Sequence, residues 1–261
     1  SLNREPELSR VDSLCTRCGR CAQVCPQKAV YFAEGSFHTD LKKCVHCGKC
    51  LEQCPESALK IEGFEMEAEE VIRRILKDHI YYEESGGGVT FSGGEPTLQG
   101  EFLLELLKRC REEGVSTAIE TNGNTPAELL SKLSPLLDTV LIDLKHADPV
   151  KHRAFTGADN RRTIEAIRYY AAHNRTEVRI PVIPTFNDTP EELQELLNLL
   201  ADLGAEQVVL LPYHTYGVSK YKNLDRPYQL AAAEKLEVSD VEILLEKTEI
   251  PECLIVEIHE K

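Results

Sequence analysis

Eight cysteines early in the chain fall into two runs: Cys15, Cys18, Cys21, Cys25 before Pro26, and Cys44, Cys47, Cys50, Cys54 before Pro55. Each run reads C-x2-C-x2-C-x3-C-P. A 4Fe-4S cubane has four irons that each take a soft thiolate, and a tight loop can offer three of the four ligands. In this spacing the fourth cysteine of a run serves the other run's cluster. One cluster is therefore expected at Cys15, Cys18, Cys21 and Cys54, and the other at Cys44, Cys47, Cys50 and Cys25. A constant offset of 29 residues superposes the two runs, together with Gly19 on Gly48 and Ala29 on Ala58, which marks an internal duplication. Structural zinc prefers well-separated C-x2-C pairs. Disulfides need an oxidising compartment and give no reason for the Cys-Pro ending.

A second set of chemically capable residues depends on the elements around it. Beyond the cysteine runs, short apolar strands alternate with helices. Strands are expected at 89–91, 117–120, 139–143, 177–181 and 207–211, with a C-terminal one beginning near Leu254. An amphipathic helix is expected from Met66 to about Tyr82, and others over 102–110, 162–173 and 190–203. Thr125-Pro126-x-Glu128 and Thr189-Pro190-x-Glu192 read as capping boxes that open helices. Such alternation implies an α/β fold with a parallel sheet, either a barrel or a doubly wound sheet, and both bind ligands at the carboxyl ends of their strands. That rule selects Gly93, Gly94 and Glu95, then Glu120 and Thr121, Asp143 and Lys145, Pro181, and His214. A lone Asp or Lys at a strand end is more often a solvated loop residue; three carboxylates, a lysine and a histidine on one rim point to a site. Cys110 shares an apolar helix face with Leu103, Leu106 and Leu107 and reads as a buried structural thiol, and Cys253, ahead of the last strand, is read the same way.

Composition bounds the rest. The chain of 261 residues is 42% hydrophobic and 28% charged, ordinary for a folded domain with a sizeable core. The formal net charge of -14 disfavours a nucleic-acid surface. No stretch reads as a membrane span or a signal peptide, so the expected location is cytoplasmic and no membrane partner is expected.

The motifs GGGVTFSGGEPTLQ (86–99), ETNG (120–123), LIDLK (141–145), VRIPVIP (178–184) and LLPYH (210–214) follow in order behind the paired cysteine runs. Together they resemble the activating enzymes of glycyl radical enzymes, in the radical S-adenosylmethionine superfamily, related to pyruvate formate-lyase activating enzyme. The resemblance runs from about Asn3 to at least Tyr221. It implies a partial (β/α)6 barrel with an inserted two-cluster ferredoxin-like domain. The implied division is 1–9 for the end of the superfamily's motif loop, 10–62 for the ferredoxin-like insert and 63–261 for the barrel. It further implies that Gly93, Gly94 and Glu95 hold the methionine amino group of S-adenosylmethionine, and that Glu120, Thr121 and Asp143 lie by its carboxylate, where a monovalent cation can bind. Asn3, Leu144, Lys145, Arg179 and His214 complete the implied pocket.

The superfamily's chemistry also needs a third 4Fe-4S cluster on C-x3-C-x2-C, and this sequence has no such motif. Leu2, Asn3 and Arg4 resemble its continuation, with Ser1 where the third cysteine stands. The sequence is thus read as lacking that segment and the barrel's first strand. The implied activity is reductive cleavage of S-adenosylmethionine and hydrogen abstraction from a glycine loop of a partner glycyl radical enzyme, under anaerobic conditions. Reduced flavodoxin or ferredoxin is the implied electron donor. Two other classes remain: an iron-sulfur electron-transfer protein with a non-catalytic α/β docking domain, and a module that binds S-adenosylmethionine without chemistry.

Overall fold

The computed structural model describes residues 6–33 and 36–259, so Asn3 lies outside the described residues. The chain divides into two compact units. One runs to Glu65 and takes in Thr215–Ala233, while the other comprises Met66–His214 and the chain from Glu234 onward.

The first unit is built twice from one pattern. Strand β1 (Glu7–Arg10), helix α1 (Arg20–Val24) and strand β2 (Val30–Ala33) are followed by β3 (Ser36–Thr39), α2 (Lys49–Glu52) and β4 (Leu59–Glu62). The halves exchange partners: β1 pairs antiparallel with β4, Arg10 opposite Leu59, and β2 pairs with β3. The backbone repeats at the 29-residue offset in detail. Arg17 and His46 are left-handed at φ 58° and 50°, Lys28 and Ser57 at 51° and 49°, and Gly19 and Gly48 at 77° and 75°, just ahead of α1 and α2. A loop that turns three cysteines toward one point needs such residues, and glycine takes the conformation without a Cβ penalty. Leu8, Val30, Phe37 and Leu59 form a small core against which Cys21, Cys25, Cys44, Cys50 and Cys54 pack.

The second unit begins with α3 (Ala68–Ile75) and α4 (His79–Ser85), separated by a 3-10 turn at Leu76–Asp78 where the sequence implies one helix. The reason is visible in the burial: Ile72 and Ile75 are buried, whereas Ile80 is 58% exposed, so the apolar face expected to continue does not. Strand and helix then alternate through β5 (Gly88–Phe91), α5 (Gly100–Glu112), β6 (Ser116–Thr121), α6 (Ala127–Leu133), β7 (Thr139–Asp143), α7 (Pro149–Thr156), α8 (Arg161–His173), β8 (Arg175–Val182), α9 (Pro190–Asp202) and β9 (Gln207–Pro212). After α10 (Gly217–Asn223), which belongs to the first unit, α11 (Val238–Leu245) and β10 (Ile255–Ile258) complete the second.

Six strands form one parallel sheet in strictly sequential order, β5 to β10. A doubly wound sheet reverses its order at a switch point. Sequential order with right-handed crossovers keeps every helix on one face, which is the arrangement of a barrel wall. The two sheet faces differ sharply in chemistry. Ile119, Val140, Ile142, Val178, Ile180, Val208 and Leu210 are fully buried in the main core, with Leu107, Ile167, Leu193 and Leu197 of the helices. The alternate residues of the same strands include Glu120, Asp143, Glu177 and Arg179, which are half-buried. The period of two thus turns a polar row toward the concave face.

The Thr189 cap forms as expected, its hydroxyl accepting from the Glu192 N–H at 3.3 Å. The Thr125 capping box does not: Pro126 is the N-cap residue of α6 and no side chain caps it. Thr125 is 2% exposed and its hydroxyl donates instead to Thr97 Oγ1 at 3.1 Å. Among the described residues no helix is long and apolar enough to cross a membrane.

Candidate functional site

The eight cysteines of the two runs ring two cavities, and the sets are the crossed ones. One cavity is lined by Cys15, Cys18, Cys21 and Cys54, with Phe32, Phe37 and Leu59. The other is lined by Cys44, Cys47, Cys50 and Cys25, with Leu8, Val30 and Ile61. Among the described residues no three Cys, His, Asp or Glu side chains are placed to hold a single ion. Four thiols around a cavity match a cubane, whose irons stand apart from one another. All ten cysteines are free thiols. Each reaching cysteine accepts one backbone hydrogen bond, Ala29 N–H to Cys25 Sγ at 3.2 Å and Ala58 N–H to Cys54 Sγ at 3.3 Å, again in symmetry. Such donors favour thiolate charge. Burial raises the thiol of Cys21 and pushes that of Cys50 up to about 11, so the empty chain keeps protons there that metal loading must release.

At the carboxyl ends of the sheet the polar residues fall into two connected groups. In the first, Glu95 closes the turn after β5. Its Oε1 accepts from Thr97 N–H at 3.1 Å, Thr97 Oγ1 at 2.7 Å and Thr121 Oγ1 at 2.8 Å, and its Oε2 accepts from Asn122 N–H at 2.8 Å. The carboxylate thus ties the glycine turn to the end of β6. Gly93 sits in that turn at φ 130°, a conformation that disfavours a side chain. Gly93 and Gly94 are exposed, which leaves their backbone groups open to a ligand.

The second group spans the concave face. Ser92 Oγ donates to Glu120 Oε2 at 2.7 Å, and Arg179 donates from Nη1 to Glu120 Oε1 at 3.2 Å and from Nε to Glu177 Oε1 at 2.7 Å. Beside it, Lys145 Nζ donates to Asp143 Oδ2 at 2.8 Å. The register puts Asp143 level with Arg179, and Leu141 level with both Glu120 and Glu177. Three carboxylates therefore face two cations and leave one net negative charge.

Of the residues selected from the sequence, Glu120, Asp143, Lys145 and Arg179 come together on this face. Thr121 does not join them: it is 4% exposed and its hydroxyl is turned to Glu95. Leu144 is fully buried, its backbone N–H donating to the Arg179 carbonyl at 2.9 Å. His214 follows β9 at the same end of the sheet. Ser92 and Glu177 belong to the network and were not selected. Glu177 alternates with Val178 and precedes Arg179 by two, a period-two signal within β8 that marks both as one-face residues. Asn187 was also missed. Fully buried, it donates to the carbonyls of Lys145 and Pro181, both at 2.8 Å, and so fastens the loops after β7 and β8 together.

Cys110 is 1% exposed and burial pushes its thiol up to about 11. Cys253 lies ahead of β10 as expected, but in a turn that leaves it exposed, which corrects the reading of a buried thiol. With the clusters loaded, iodoacetamide is expected to modify Cys253 and spare Cys110. Peptide mass spectrometry that found Cys110 labelled as fast in the folded protein would refute its burial.

Comparison with known proteins agrees with this geometry. Residues 42–200 match the Radical SAM superfamily family and residues 7–55 match a 4Fe-4S dicluster domain. The chain is 38% identical over 182 residues to the pyruvate formate-lyase-activating enzyme of Clostridium pasteurianum, covering 67% of this chain and 74% of the relative. It is 37% identical to the trans-4-hydroxy-L-proline dehydratase activating enzyme of Clostridioides difficile, covering 85% and 77%. With the choline trimethylamine-lyase activating enzyme of Oleidesulfovibrio alaskensis it shares 33% identity over 97% of this chain and 85% of that one. A crystal structure of a domain of pyruvate-formate lyase-activating enzyme from Bacteroides vulgatus aligns with a TM-score of 0.51 at 27% identity, covering 63% of this chain and 99% of that one. The chain belongs to the radical S-adenosylmethionine superfamily, among the activating enzymes of glycyl radical enzymes.

Proposed function

We propose that the chain activates a glycyl radical enzyme by radical chemistry on S-adenosylmethionine, with the concave-face network as the cofactor pocket and two 4Fe-4S clusters as its electron relay. S-adenosylmethionine, cleaved by one electron from a third 4Fe-4S cluster, supplies the 5'-deoxyadenosyl radical that takes hydrogen from a glycine of the partner. No residue of this chain is assigned to that third cluster. The observation that carries the reading is the row of Glu120, Asp143, Lys145, Glu177 and Arg179 on the concave face, whose single net negative charge suits an aminoacyl sulfonium.

In this reading the exposed backbone of Gly93 and Gly94 meets the methionine amino group, and Glu95 holds that turn in place through its four hydrogen bonds. Arg179 is braced from both sides by Glu120 and Glu177 and attracts the methionine carboxylate, with Lys145 beside it. A monovalent cation near that carboxylate draws on Glu120 and Asp143. His214 stands at the same rim, and the backbone of Leu144 and Asn3 complete the pocket. Electrons enter from reduced flavodoxin or ferredoxin.

The test uses a chain extended ahead of Ser1 by a strand and a C-x3-C-x2-C segment, mixed anaerobically with dithionite and S-adenosylmethionine. Formation of 5'-deoxyadenosine, followed by a glycyl radical signal on a partner enzyme, is expected. Tight binding without cleavage reduces the protein to a binding module. Neither binding nor cleavage, with clusters intact, leaves an electron-transfer protein.

A further inference from the structure

The two cluster cavities are built by duplicated sequence, yet one duplicated position breaks the symmetry where charge is most effective. Arg10 lines the cavity of Cys15, Cys18, Cys21 and Cys54. The residue 29 positions later is Thr39. Arg10 is 7% exposed, its Nη2 donates to Asp12 Oδ1 at 2.6 Å, and its guanidinium carbon lies 5.0 Å from the centroid of the Phe37 ring. Its Nη1 is buried with no hydrogen-bond partner among the described residues. A buried cationic donor left unpaired is costly, and a negative group filling the adjoining cavity removes that cost. Four thiolates around a cubane core make such a group, a dianion when oxidised and a trianion when reduced.

The two cavities are matched in one respect. Each has one backbone N–H on its reaching cysteine at nearly equal length. The remaining charged groups lining them are Arg17, Arg20 and Glu56 on one side and His46 and Lys49 on the other, all exposed except His46, which is half-buried. Exposed charges are screened by water and salt; a buried one is not. Asp12 offsets part of the Arg10 charge, but Asp12 is shared with Lys222 Nζ at 2.8 Å, so two cations stand against one carboxylate. The cavity of Cys44, Cys47, Cys50 and Cys25 has no buried cation among its lining residues.

We infer that Arg10 sets the reduction potential of the cluster held by Cys15, Cys18, Cys21 and Cys54 above that of the other cluster, making it the seat where the relay holds its electron. This rests on the two-cluster reading of the proposed function. The step is a one-electron reduction with no bond made or broken, the donor being the low-potential reductant of that reading. The added negative charge falls beside a fixed positive one, and a cation nearer to one of two like clusters favours that cluster's reduced form.

The experiment is an anaerobic redox titration of the loaded chain with dithionite, followed by electron paramagnetic resonance, without S-adenosylmethionine or partner. Two one-electron steps are expected, separated by at least tenfold in equilibrium constant, which is about 59 mV. Arg10→Met should lower the upper step by at least tenfold and leave the lower step in place. Asp12→Asn removes a neutralising anion, so it should move the same upper step the other way. If Arg10→Met fails to assemble, the wild-type separation and the Asp12→Asn shift decide. Coincident wild-type steps, a shift confined to the lower step, or an unmoved upper step in Asp12→Asn overturns the inference. Because no cofactor cleavage is read, a protein that never forms a glycyl radical can still satisfy it, whereas an iron content well below two clusters sinks the relay itself.

Discussion

Replacing Cys54 with alanine is expected to remove the cluster of the first cysteine run, and replacing Cys25 the cluster of the second. Cys54 stands seven residues after Cys47, yet it lines the cavity of Cys15, Cys18 and Cys21, while Cys25 lines that of Cys44, Cys47 and Cys50. The exchange follows from the strand pairing: β1, which leads into the first run, is hydrogen-bonded to β4, which leaves the second. Each variant should hold ~4 irons where the unaltered chain holds ~8, since three thiolates retain a cubane poorly. The loss should also lower the stability of the first unit without unfolding it. Its buried apolar core consists of Leu8, Val30, Phe37 and Leu59, and a domain that small relies on its metal for stability. Iron analysis and electron paramagnetic resonance of the remaining cluster provide the check. If Cys54→Ala keeps the signal of the first-run cluster and loses the other, the ligation is not crossed and the cavity assignment fails.

What was legible in the sequence and what was not divides along the range of the interactions. The span of β7 is identical to the expectation from its apolar run, because Asp138 before it and Lys145 after it mark its limits locally. The paired clusters were legible because ligand spacing is a local constraint repeated twice. Helix α7 carries a local signal, Asp148 followed by Pro149, and was overlooked; Asp148 accepts from Val150 N–H at 2.6 Å and Lys151 N–H at 3.1 Å. Thr125 shows the opposite case. Its capping motif is sound locally, but its hydroxyl is claimed by Thr97, 28 residues earlier. The break after Ile75 depends on what α3 packs against, and the burial of Arg10 depends on a strand partner 49 residues away, Leu59. Neither follows from periodicity. Choosing between a barrel and a doubly wound sheet likewise needs the strand order, which alternation alone leaves open.

Arg179→Met is expected to weaken S-adenosylmethionine binding by roughly 10–100-fold, the loss of one charge-assisted contact of ~1.5–3 kcal/mol. Arg179 is the cation that joins two carboxylates of the network: with its side chain 20% exposed, it bridges Glu120 at 3.2 Å and Glu177 at 2.7 Å. Removing it takes away the partner of the methionine carboxylate. It also leaves Glu120 and Glu177 facing the ligand's anionic end, so repulsion adds to the lost attraction. Lysine at the same place keeps the charge but not the fork that reaches two carboxylates, so Arg179→Lys should fall between the parent and methionine. Glu177→Gln should cost less than either, because Glu177 orients Arg179 and lies one row further from the carboxyl end of the sheet. Calorimetric titration in the extended protein that carries the third cluster, with iron content measured in parallel, separates this from simple unfolding. Two of the clusters sit on cysteines of the other unit and the third on the added segment, so all three should remain when binding falls. An unchanged dissociation constant in Arg179→Met with intact clusters would mean that the cofactor carboxylate lies elsewhere, and the concave-face pocket would have to be abandoned.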